Sequence, residues 1–138
     1  MIAFILALAF GLLQAPVSQR LVGAWELVSY EVIAADGTRR PGNYDRGQIN
    51  YDASGRMSAH LMKADKNDHR YLGYYGPFVV DEKTGIVTHI VDGSSNANWV
   101  GSRQVRYYEF SPDNQQLTLS VRNAEGRMTG TLVWKRSR

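Results

Sequence analysis

Residues 89–110 read His-Ile-Val-Asp-Gly-Ser-Ser-Asn-Ala-Asn-Trp-Val-Gly-Ser-Arg-Gln-Val-Arg-Tyr-Tyr-Glu-Phe. The stretch opens on the end of a β-rich run, 86–91, and passes through a polar loop that carries Asn96, Asn98 and Trp99. It closes on a second β-rich run, 103–110. Strand, loop and strand follow one another with no amphipathic helix between them, which argues against parallel βαβ units. The same stretch gathers most side chains able to do chemistry or hold a ligand: His89, Asn96, Asn98, Trp99, Arg103, Gln104, Arg106, Tyr107, Tyr108 and Glu109. The rest of the chain reads as scaffold around it.

Working outward, the same rhythm recurs. β-forming runs cover 25–33, 48–51, 56–62, 78–80, 86–91, 103–110, 117–121 and 128–135, with Tyr71, Tyr74 and Tyr75 leading into the fourth. Turn signals separate them: Asp36-Gly37, Asp52-Ala53-Ser54-Gly55, Thr84-Gly85, Pro112-Asp113-Asn114 and Glu125-Gly126. The polar run 63–70 reads as a loop or a single helical turn. Short links make neighbouring strands antiparallel. About eight such strands in simple succession close most economically into an up-and-down barrel, which leaves no exposed edge. An open sandwich is the alternative. An eight-stranded barrel has an interior that side chains fill or that holds one small ligand.

Alternation assigns the faces. Val87, His89 and Val91 share one face of their strand, and Ile86, Thr88 and Ile90 share the other. Both faces are apolar, so the outer one is expected to be covered, by the N-terminal segment or by the second subunit of a homodimer.

With 138 residues the chain has room for one domain and a real core. Sixteen Lys and Arg against thirteen Asp and Glu give a formal charge of +3. The basic residues bunch only at Arg39-Arg40 and at the C-terminal Lys135-Arg136-Ser137-Arg138, which is no stripe for nucleic acid. No cysteine is present, so no disulfide scaffold and no thiolate chemistry are available. Residues 1–19 are set apart as a signal peptide or N-terminal apolar segment, and 20–138 as the barrel domain. The apolar run 1–13 is shorter than the roughly 20 residues a stable membrane span needs. Its length and its small-residue end suit a leader for a secreted or periplasmic protein. No Lys or Arg precedes it, and the competing expectation is a short helix packed on a cytoplasmic domain.

The first strand opens on Gly23-Ala24-Trp25, and the last ends on Leu132-Val133-Trp134-Lys135-Arg136. A Gly-x-Trp at the start of an eight-stranded barrel resembles the lipocalins and their calycin relatives. That resemblance implies that Trp25 plugs the closed end and that Arg136, or Lys135 beside it, packs over it. Residues 23–30, 56–62, Val80-Asp81-Glu82, 84–89, Asn98-Trp99-Val100-Gly101 and 104–109 are together similar to the small bacterial and fungal lipocalin-like domain proteins. Some lipocalin-like barrels bind hydrophobic ligands, and others act as cyclases on polyketide-type intermediates. The resemblance therefore implies the fold and leaves the activity open.

The candidate ligand-binding residues are Arg106, His89, Tyr75, Trp99, Asn98, Tyr107 and His60. Arg106, if it points inward, is a buried cation that needs a partner. Glu109, three positions on, faces the other way. His89 titrates near neutrality in its ordinary state and sits on an apolar wall. The aromatics offer broad apolar faces with a few hydroxyls. His60, His69 and His89 lie on separate runs, which is a poor zinc pattern. No phosphate loop, dinucleotide fingerprint or nucleophile elbow is present, so no metal and no cofactor is expected. The expected function is binding of a small hydrophobic molecule by a polar anchor inside the barrel, with Arg106, His89 and Tyr75 at the polar end. The alternatives are an isomerase or cyclase using the same pocket on a carbonyl compound, and a solidly filled barrel that works through protein contacts.

Overall fold

A computed structural model describes residues 13–138. A five-residue helix, α1 (Val17–Leu21), precedes ten strands. These are β1 (Gly23–Ile33), β2 (Arg39–Pro41), β3 (Arg46–Tyr51), β4 (Arg56–Met62), β5 (Tyr71–Asp81), β6 (Ile86–Ile90), β7 (Gly93–Ser94), β8 (Arg103–Phe110), β9 (Gln116–Arg122) and β10 (Met128–Arg136). Eight of them are staves in the order β10-β9-β8-β6-β5-β4-β3-β1, and β1 pairs with β10 to close an antiparallel up-and-down barrel. The eight-strand expectation holds for the staves. The two further strands are short flaps, β2 on the far end of β1 and β7 beside β5. Residues 63–70 form a loop rather than a helical turn, and the aromatic cluster from Tyr71 is part of the long strand β5.

The sequence folds this way because tight links join runs of period two. At the tip between β5 and β6, Gly85 takes φ +70°, a backbone angle that side chains rarely adopt, and Asp81 Oδ1 accepts from the Lys83 amide at 3.0 Å. At the β8–β9 tip Asn114 takes the same region at φ +57°. Within β1 the register slips between Leu27 and Ser29, so Val28 bulges outward at 53% exposure and the strand bends round the barrel.

Alternation then sorts the side chains. Ile49 and Tyr51, Met57, Ala59 and Leu61, Tyr74 and Phe78, Val87 and Val91, and Leu117 and Leu119 point inward and form one core with Trp25 and Trp134. Across the outer face, Thr88 lies between Val79 and Val105 on the flanking strands, which leaves it only 8% exposed.

One end is shut. Trp25 is fully buried, and its indole N–H donates to the Leu21 carbonyl at 2.8 Å. The Arg136 guanidinium lies over the Trp25 ring at 4.1 Å and donates to the carbonyls of Arg20, Val22 and Asn114 at 2.6, 3.0 and 2.9 Å. Lys135 instead faces outward toward Glu26. Val17 and Leu21 of α1 are buried in the core, so the packed body takes in residues on both sides of position 20. The apolar run expected to serve as a leader falls largely on residues 1–12, outside the described residues. No described helix is long and apolar enough to cross a membrane.

Candidate functional site

The other half of the barrel is hollow. A cavity of about 510 Å³ is lined by residues of all eight staves and of the segment that follows β7. This is within the range of small-molecule sites, and the interior is not packed solid. Its wall is apolar on one side, with Ile49, Ala59, Leu61, Leu119 and Leu132. Aromatic rings, Tyr30, Tyr44, Tyr74, Trp99 and Trp134, cover much of the rest. The polar members with side chains deep on strands are His89, Gln104 and Arg106, and no carboxylate lines the cavity among the described residues.

His89 is fully buried on β6, between Val87 and Val91, which follows the strand. Its Nε2 lies 2.8 Å from the Tyr51 hydroxyl and its Nδ1 lies 3.0 Å from that of Tyr74. Burial, and secondarily the positive charge of Arg106, hold its pKa down at about 3. The ring is therefore neutral at physiological pH, with one nitrogen donating and the other accepting. Burial raises the Tyr51 hydroxyl well above its ordinary range, and raises Tyr74 as well, where Arg106 offsets part of the effect. Both phenols are protonated at neutral pH.

Arg106 points inward from β8, with Gln104 and Tyr108 on the same face. Its Nη1 donates to the adjacent Val105 carbonyl at 2.9 Å, and its Nη2 makes a long contact of 3.4 Å to Gln104 Oε1. It forms no ion pair among the described residues. Trp134 is 2% exposed and lines the same cavity, and its indole N–H has no hydrogen-bond partner among the described residues. A site with an unneutralised guanidinium and an unsatisfied indole N–H favours a guest that accepts hydrogen bonds.

The rim is built by the loop after β6. The Gly76 backbone lets it cross, since a Cβ there would lie 1.8 Å from the Ile90 carbonyl oxygen. Ser95 ties the loop to β5 through two hydrogen bonds with Gly73, of 2.8 and 2.9 Å. Asn96 Oδ1 caps a single 3-10 turn (Ala97–Trp99) by accepting from the Asn98 amide at 3.1 Å. That turn sets the Trp99 ring 5.3 Å from Tyr74 at the cavity mouth.

The family model for the lipocalin-like domain matches residues 22–70 and 64–137. The chain belongs to the lipocalin-like domain family. Among solved structures, this lipocalin-like barrel is similar to a de novo designed fluorescence-activating beta barrel, at 14% identity and a TM-score of 0.51. That match covers 90% of this chain and 100% of the design. It is also similar to a redesigned beta barrel, at 11% identity and a TM-score of 0.50, over 88% of this chain and 95% of the other. At such identities the likeness shows the fold alone. A search of curated proteins gives no match.

Of the residues expected at the lipocalin-like site, His89, Arg106 and Trp99 line the cavity. Tyr75, Tyr107, His60 and Asn98 do not. Tyr75 is one position out of phase with Tyr74, so it stands on the outer face at 55% exposure. Tyr107 likewise faces out from β8, under the Arg122 guanidinium at 4.1 Å. His60 is on the outer face of β4, where its Nδ1 pairs with the Tyr71 hydroxyl at 2.7 Å. Asn98 is exposed on the 3-10 turn, and its neighbour Asn96 both caps the turn and reaches the cavity. Tyr51 and Trp134 were not among the residues expected there, and Tyr74, one of the tyrosines suited to a pocket, was left out of the candidate set. For Tyr74 the signal was there, since it shares a face with Leu72 and Phe78 by strict alternation.

Proposed function

We propose that the protein binds a hydrophobic small molecule whose single polar end accepts hydrogen bonds, with Arg106 as its anchor. The observation that carries this reading is a cation without an anionic partner among the described residues, in a cavity of about 510 Å³ walled by apolar and aromatic side chains. Arg106 is half-buried, and a charge drawn partly out of water is costlier when unpaired, so a fold that keeps one beside an open volume is suited to a guest that pairs with it. Trp99 and Tyr44 at the mouth, with Leu61, Leu119 and Leu132 inside, cover the apolar body of the ligand.

Binding is favoured over the isomerase or cyclase alternative. A proton abstraction near neutral pH needs a base with matching affinity. The cavity histidine is held at about 3, and no carboxylate lines the wall among the described residues. Native mass spectrometry of the purified protein, followed by denaturing extraction, tests this reading. The expected result is an added mass of one apolar, oxygen-bearing molecule that the Arg106→Met variant retains poorly. Equal retention by both proteins would overturn the assignment of Arg106.

A further inference from the structure

The hydrogen-bond arrangement behind the cavity defines its polar end further, given the ligand-binding reading above. Neutral His89 has one N–H and one acceptor nitrogen for two tyrosines. If Nε2 carried the proton, it would donate to the Tyr51 oxygen. The Tyr51 hydroxyl proton would then have no acceptor, because Tyr51 is 2% exposed, does not line the cavity, and has His89 as its one polar partner among the described residues. If Nδ1 carries the proton, both ring nitrogens and the Tyr51 hydroxyl are satisfied. Tyr51 donates to Nε2, Nδ1 donates to the Tyr74 oxygen, and the Tyr74 hydroxyl proton is left free on a residue that does line the cavity. An unpaired buried hydroxyl is the costlier arrangement, so the second tautomer is the stable one.

The polar end is then rich in donors: the Tyr74 hydroxyl, the Arg106 guanidinium and the unpartnered Trp134 indole N–H. It carries one formal positive charge and no negative one. We propose that the ligand's polar end is a carboxylate, held by Arg106 and by a Tyr74 hydroxyl that the Tyr51–His89 pair turns toward the cavity as a donor. A monoanion matches the single charge. A carboxylate has acceptor sites enough for all three donors, and a carbonyl alone would leave the guanidinium's charge unneutralised. Tyr51 and His89 are positioning residues in this scheme, and Tyr74 and Arg106 are the binding ones.

The test uses two isosteric probes, 2-naphthylacetate and its neutral amide, 2-naphthylacetamide, with the full chain at pH 7. Wild type is expected to prefer the acid by at least about tenfold, the size of one charge-assisted hydrogen bond. Arg106→Met should abolish the preference, and Tyr74→Phe should reduce it by about fivefold or more while leaving amide binding within about twofold. In parallel, long-range proton–nitrogen NMR correlations of nitrogen-15-labelled protein report the tautomer of His89, whose signals are those lost in His89→Gln. Protonated Nδ1 is expected, and protonated Nε2 would overturn the orientation of Tyr74 whatever the probes do. If the amide binds as tightly as the acid, the cavity binds ligands but the carboxylate proposal falls. If neither probe binds wild type, the ligand-binding reading falls first and the carboxylate proposal with it.

Discussion

The barrel interior holds one arginine and buried tryptophan at the closed end and another arginine and buried tryptophan lining the cavity, and the two sets live under different rules. At the closed end, Arg136 stacks on Trp25 and donates to three backbone carbonyls, while the Trp25 indole N–H is bonded to Leu21. Beside the cavity, Arg106 donates to a neighbouring carbonyl, makes a long contact to an amide oxygen and has no carboxylate partner among the described residues, and the Trp134 indole N–H has no partner among them either. The residue types are the same and the degree of satisfaction is opposite. The first pair is a plug that holds the fold shut. The second is a set of donors left open at a cavity, which is how a binding site differs from a core.

That contrast predicts where stability resides. Trp25→Ala should cost about 3–5 kcal/mol in urea unfolding, as expected for a large ring removed from a packed interior. Arg136→Ala should follow, at about 2–3 kcal/mol, because three carbonyls lose their donor. Arg106→Met should change stability by less than about 1 kcal/mol, or raise it, since a half-buried, poorly paired charge is replaced by an apolar chain. If Arg106→Met were as damaging as Arg136→Ala, the two sets would be structurally alike and the comparison would fail.

Acid sharpens the contrast. The His89 pKa lies at about 3 in the folded chain, below the ordinary 6.5, so the unfolded chain binds the extra proton between those values. Stability is therefore intact above about pH 6.5 and falls as pH is lowered toward 3. At pH 4.5 the loss attributable to this ring should be about 2–3 kcal/mol. His89→Gln should flatten the fall of urea stability over that window. The smallest expected effect is on the outer wall. Tyr75→Ser should shift stability by less than about 1 kcal/mol and should not alter ligand affinity, because its ring faces water.

The fold was legible in the sequence because its signal is local. Period-two runs and tight turns such as Thr84-Gly85 specify antiparallel neighbours, and the Gly23-Ala24-Trp25 and Arg136 pairing at the closed end followed from the family resemblance. The inward face of His89 was legible as well, since Val87 and Val91 flank it in alternation. The rest of the site was harder to read because it depends on phase and on distant partners. Tyr74 and Tyr75 are consecutive and chemically identical, and only their phase relative to Leu72 and Phe78 separates the one that enters the barrel from the one that does not. Tyr107 beside Arg106 presents the same problem. Tyr51 meets His89 across 38 positions of chain, and Trp134 reads in sequence as one more apolar residue of the last strand. Pairings through the barrel interior leave no local pattern.

The most direct test of the division between plug and site is the urea midpoint of wild type and Arg106→Met, each with and without saturating 2-naphthylacetate. A ligand that binds only the folded state raises the midpoint by mass action. The predicted result is that, without ligand, Arg106→Met is at least as stable as wild type, and that ligand raises the wild-type midpoint alone. An Arg106→Met protein that is weaker without ligand, yet gains as much from ligand as wild type, would make Arg106 a structural residue and contradict the account.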